Sequence, residues 1–172
     1  MPDYIQTTYS TDMGRGIEGA LADASPVNVI ARVNAEASAS IAFGRAVRQG
    51  TGDTQALLPA AQANEIIGIT VHSNAYSKGD VNANLDAIGV KAGGLLSVLR
   101  KGRVLVMARS AVTNKSRLYV RAVSSGTGFE TLGGLEAAAD STDMIDCTAQ
   151  GSWMGTAAQG ALCVLEVDFT NK

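Results

Sequence analysis

Charge is scarce in this chain. Only 17% of its 172 residues are Asp, Glu, Lys or Arg, against roughly a quarter in ordinary soluble domains. Their place is taken by Ala, Ser, Thr and 19 glycines, which leave a weakly solvated surface suited to being covered by partners. Aromatics are equally sparse at 5%, so the core has to come from Val, Ile, Leu, Met and Ala. With four tyrosines, three phenylalanines and one tryptophan, an aromatic-lined ligand cleft is hard to build. Three prolines argue against a Pro-rich linker or tail. Two cysteines, Cys147 and Cys163, are too few for a disulfide-stapled scaffold. Cys163 sits in an apolar run and reads as a buried thiol; a bridge to Cys147 is open but not indicated.

Long apolar runs are missing too. No stretch approaches 18 uninterrupted apolar residues, so no membrane-spanning helix is expected. The opening MPDYIQTTYSTDM has neither the basic start nor the apolar stretch of a signal peptide. The expectation is synthesis in a cytoplasm.

What is present is short β segments. RLYVRAV sets Arg117, Tyr119, Arg121 and Val123 on one face and Leu118, Val120 and Ala122 on the other. That period of two is the pattern of a strand with one buried face. VNVIARV (27–33), ASIAFGRAV, EIIGITVHS and ALCVLEVDF read the same way, with Ile67, Ile69 and Val71 sharing a face in the third. LLSVLR and RVLVMAR flank Lys101-Gly102, which reads as a hairpin turn. Residues 49–64 read as a loop with a single turn of helix, and TLGGLEAAADST is open to strand or short helix. Strands this closely spaced, without intervening helices, predict an all-β fold, a compact barrel or sandwich over 26–172. Residues 1–25 are polar, glycine-bearing and irregular, and read as an N-terminal arm.

Motifs that resemble reaction centres fail on their context. Gly14-Arg15-Gly16-Ile17-Glu18-Gly19 matches a dinucleotide fingerprint, but IQTTYSTD is too polar for the buried strand that must precede it. Ser25-Pro26 stops any following helix. Asp80, Asn82, Asn84 and Asp86 have calcium-loop spacing, yet Leu85 and Lys91 stand where glycine and glutamate are needed. His72, the single histidine, has no partner at metal-ligand or triad spacing. No catalytic, cofactor or metal site is expected.

The net charge of −2 conceals segregation. Residues 91–127 carry eight bases and no acid; residues 128–171 carry seven acids and no base. Two readings follow: the blocks pair on neighbouring strands of one chain, or they orient contacts between copies. A nucleic-acid role is disfavoured, because Tyr119 alone would have to provide the stacking platform. The Arg117-Tyr119-Arg121 patch suits an acidic protein surface or plain solvation. Trp153, between glycines and small residues, reads as a lid on the core or as a partner anchor.

EIIGITVHSNAY, KAGGLLSVLRKGRVLVMA, RLYVRAV, AAADSTDMIDCTAQGSWM and GALCVLEVDFTNK resemble the structural cement, or head decoration, proteins of tailed bacteriophages. The resemblance runs from about residue 14 to the C-terminus. It implies a noncatalytic, β-rich protein on the outer face of an icosahedral head, bridging subunits of the major capsid protein. It also implies a homo-oligomer, trimer rather than dimer, with no nucleic-acid or membrane partner. Candidate contact residues are Tyr4, Tyr9 and Arg15 of the arm, with Arg117, Tyr119, Arg121 and Trp153. Two other classes stay open on the residues alone: a cytoplasmic carbohydrate- or peptide-binding β module, and a small hydrolase using His72.

Overall fold

The computed structural model describes residues 16–23, 26–73, 89–124, 130–140 and 143–170. The described residues are all-β. The strands are β1 (Asn28–Asn34), β2 (Ile41–Ala42), β3 (Ala46–Gln49), β4 (Gln55–Leu57), β5 (Ile66–Val71) and β6 (Gly89–Val90). They continue with β7 (Leu95–Met107), β8 (Tyr119–Arg121), β9 (Leu135–Glu136), β10 (Met144–Asp146), β11 (Gly151–Trp153) and β12 (Leu162–Asp168).

Seven strands form the main sheet in the order β1-β4-β3-β5-β7-β12-β11, and β1 also pairs with β7. That extra pairing closes β1, β4, β3, β5 and β7 into a five-stranded barrel. Leu99 makes the closure visible, since it is the register partner of Val29 on one side and Ile69 on the other. A small sheet, β10-β8-β9, lies outside the barrel, and β2 pairs with β6.

Two cores follow from this topology. The barrel interior takes Val47, Ala56, Leu96 and Val98, together with Ile41, Phe43 and Val90, and Ile30 and Ile67 pack against them. Every barrel strand thus contributes to it. The larger core lies between the outer wall and the small sheet, and includes Ile69, Leu99, Val104, Val106, Leu118, Val120, Ile145, Trp153, Leu165 and Phe169. Val98 and Leu99 point to opposite faces of β7 and belong to different cores, as strand alternation requires. A chain poor in aromatics fills both spaces with branched aliphatics.

Three sequence expectations need correction. Lys101-Gly102 is no hairpin: β7 runs unbroken through 13 residues. Gly102, at φ 132°, lets the strand bend where β12 takes over from β5 along one edge. Lys101 sits at that junction, paired with Asn28 of β1 and Asp168 of β12. Ile67 does not share a face with Ile69 and Val71, because the β3–β5 register slips between Val47 and Arg48. The slip is a bulge that turns Ile67 into the barrel while Ile69 and Val71 enter the outer core. Residues 49–64 contain strand β4 rather than a helical turn, and Leu135–Glu136 resolves its ambiguous segment as strand.

Candidate functional site

The charge blocks meet within the chain. In the β7–β12 register Lys101 faces Asp168 and Arg103 faces Glu166. The resulting ion pairs measure 2.8 and 3.3 Å. Arg103 also reaches Asp23 of the lead-in at 3.0 Å. Hydrogen bonds from Lys101 and then Thr170 hold the Asp168 carboxyl well below the usual carboxylate range. Hydrogen bonding to Asp23, reinforced by Glu166, raises Arg103 further. The spacing that produces these pairs was present in the sequence: bases at 101 and 103, acids at 166 and 168, each pair two apart on one strand face.

Arg121 is buried at the centre of three acids, of which Glu136 is buried with it while Glu130 and Asp140 are open to solvent. Its Nε and Nη2 donate to the two Glu136 carboxylate oxygens at 2.6 and 3.1 Å. Asp140 accepts from the same guanidinium at 3.3 Å, and Glu130 stands 3.9 Å away. The Glu136 hydrogen bond raises the Arg121 pKa against the opposing effect of burial. Arg121 is 2% exposed and Tyr119 8%. The expected open Arg-Tyr-Arg face is therefore reduced to Arg117, which is exposed and donates to the Tyr119 hydroxyl at 3.0 Å. Strand β8 is covered on both faces because the acids that complement Arg121 come from its own neighbours.

Trp153 is 1% exposed and forms part of the larger core. Its indole N–H donates to the Arg117 carbonyl at 3.0 Å, tying β11 to the approach to β8. Within the chain it acts as the core lid. Cys147 and Cys163 are both buried, with no disulfide between them.

The described lead-in lies against its own barrel. Gly19 N–H donates to the Leu105 carbonyl, and His72 N–H donates to the Gly19 carbonyl. Glu18 accepts from the buried Arg109 at 3.3 Å. Gly19, at φ 85°, sits so close that a Cβ would meet the Phe43 Cβ at 2.7 Å. Gly19, and Gly16 against the Leu105 side chain, therefore serve close packing. The imidazole of His72 stacks edge-on against Phe43, with centroids 4.9 Å apart. No group of three or more His, Cys, Asp or Glu that could hold a metal occurs among the described residues. Tyr4, Tyr9, Arg15 and the Asp80–Asp86 segment lie outside the described residues.

A shallow groove runs along Lys101, Gly102, Arg103, Gln150, Ser152, Glu166 and Asp168. Its walls are the saturated ion pairs of β7 and β12. Phe43, Tyr119, Trp153 and Phe169 are all buried, so none is available to line it.

Residues 5–168 match the structural cement protein family (E217 gp24/Pam3 gp6). The chain belongs to this phage structural cement protein family. A solved chain from "The capsid of Myoviridae Phage XM1" has the same fold, with a TM-score of 0.68 at 14% identity. The alignment covers 96% of the cement protein and 98% of that chain. No curated protein matches. The cement protein is a non-enzymatic structural component of a phage capsid.

Proposed function

We propose that this cement protein decorates the outer surface of an icosahedral phage head and bridges neighbouring subunits of the major capsid protein. The observation that carries this reading is the family match over residues 5–168. The protein's own surface supports it. The β7–β12 bases are matched by acids of the same chain, so weak contacts repeated by symmetry suit it better than a single strongly charged site. It is made in the host cytoplasm and joins the head there.

The arm supplies part of the contact in this reading, with Tyr4 and Tyr9 as apolar anchors and Arg15 as a polar partner. Of the folded-domain candidates Arg117 is exposed, which supports a direct contact with the shell through it. Self-association accompanies shell binding, and the family resemblance favours a trimer at local threefold positions. The carbohydrate- or peptide-binding reading lacks an aromatic surface among the described residues, and the hydrolase reading rests on His72 alone.

The test is sedimentation of the purified protein with expanded empty shells. Co-sedimentation that is weakened by deleting residues 1–12, with the β domain still folded, is the expected result. Full binding after that deletion removes the arm from the mechanism. Absence of binding by the intact chain at micromolar concentration removes the proposal itself.

A further inference from the structure

The outer face of the β7–β12–β11 sheet has a pattern that the shell-binding reading does not use. The register pairs Met107 with Leu162, Leu105 with Val164, Arg103 with Glu166 and Lys101 with Asp168. These four pairs share the face opposite the larger core, whose β7 and β12 members are Val104, Val106, Cys163, Leu165 and Val167. Met154, bonded through its N–H to the Val164 carbonyl, extends the apolar end onto the β11 side and is 45% exposed. On the other flank Gly16 lies against the Leu105 side chain, and the adjacent Ile17 is 51% exposed. One end of the face is thus aliphatic, and the other carries paired opposite charges.

We infer that this face binds the same face of a second copy about a twofold axis parallel to the strands, running between β7 and β12. Such an axis exchanges the two strands across the interface while keeping each row at its own level. Met107, Leu162 and Val164 then meet their own counterparts, while Leu105, only 8% exposed beneath Gly16, backs them from within. Lys101 and Arg103 of one copy come over Asp168 and Glu166 of the other. Opposite charges meet because the register already sets base against acid in every charged row. Ile17 approaches the partner's Met154, bringing together two exposed apolar residues at the flanks of this face. An axis perpendicular to the sheet would not bring the two faces together. This self-complementarity of charge and apolarity identifies the occupant as a second copy, and it is independent of what the shell contributes.

The size of the face sets the strength. Three strands and the lead-in, about 4.8 Å apart and some seven residues long with alternate residues facing out, give roughly 400 Å² per copy, well below the ~800 Å² per partner of a standard stable interface. The contact is therefore weak in solution and gains force when symmetry holds copies side by side. A pairwise contact of this kind links decoration oligomers to one another without altering a threefold contact elsewhere on the protein.

The experiment is sedimentation equilibrium of the full chain without shells, at concentrations up to about 1 mM, the range expected for an interface this small. Met154→Glu and Leu162→Glu, both at the aliphatic end, are expected to weaken association by about tenfold or more while leaving the unfolding midpoint near wild type. Lys101→Asp alone should weaken it as well. Lys101→Asp combined with Asp168→Lys should restore it, because the swap preserves opposition both within the chain and across the axis. A strictly monomeric wild type over this range overturns the inference. So does an assembly of any order that is insensitive to Met154→Glu and Leu162→Glu. Neither result depends on shell binding, which is measured separately.

Discussion

Arg121 and Glu136 form a bidentate pair inside the protein, with both donor–acceptor contacts at 3.1 Å or less. The pair joins the central strand of the small sheet to its neighbour, where Tyr119 is the register partner of Glu136. Backbone bonds reinforce it: Arg121 N–H donates to the Gly134 carbonyl, and Gly133 N–H donates back to Arg121. A charge this deeply covered depends on its partners, because desolvation is recovered only through good geometry.

Removing one member should be severe. Arg121→Met leaves Glu136 buried without its counter-charge and is expected to destabilise the fold by about 3–5 kcal/mol, read from the denaturant midpoint. Arg121→Lys should recover only part, since an ammonium cannot reproduce the two-pronged contact. A loss below about 1 kcal/mol for the methionine variant would show that the pair is not a structural element.

Acid should weaken the fold through Asp168. Its carboxyl is held below the ordinary carboxylate range by Lys101 and Thr170, whereas an unfolded aspartate titrates near ~3.9. The folded pKa is the lower one, so this contribution is fully present above the unfolded value and is lost as pH falls below it. Asp168→Asn should therefore flatten the acid limb of a stability–pH curve between about pH 4 and 2. An unchanged acid limb contradicts the assignment.

Gly102 is predicted to be intolerant of any side chain. A Cβ there would meet the Val27 Cγ1 at 2.9 Å, and the φ of 132° is disfavoured for other residues. Gly102→Ala should destabilise by about 1–3 kcal/mol, measured by urea unfolding. A neutral substitution would mean that the strand changes neighbours without needing the glycine.

Trp153 should behave as a buried reporter. Its emission is expected to be blue-shifted and protected from iodide until global unfolding. Trp153→Phe removes the donor to the Arg117 carbonyl and should cost about 1–3 kcal/mol. Ready quenching in the folded state would contradict the core position.

Strand positions were legible wherever one face alone is buried. Strand β12 is the clearest case, its Cys163, Leu165 and Val167 buried while the residues between are half-covered. Legibility failed where both faces are covered. Strand β8 buries Tyr119, Val120 and Arg121 alike, and alternation cannot reveal that an arginine will be enclosed by acids lying 15 and 19 residues further on. Gly102 misled for a related reason, since a positive-φ glycine permits a tight turn or a bend within a long strand, and only the partner strands decide between them. The charge blocks were visible and their pairing within one chain was one of two open readings; the β7–β12 ion pairs support it. The contact surface carries no short motif, so recognition came from segment order along the whole chain.

The central claim is that this chain cements a phage head by bridging its shell subunits. Cryo-microscopy of expanded empty shells incubated with the purified protein measures it most directly. The account predicts added density on the outer surface, fitted by the five-stranded barrel and spanning the junctions between major capsid subunits. Bare shells at saturating protein, or density confined to single subunits without crossing a junction, would contradict it.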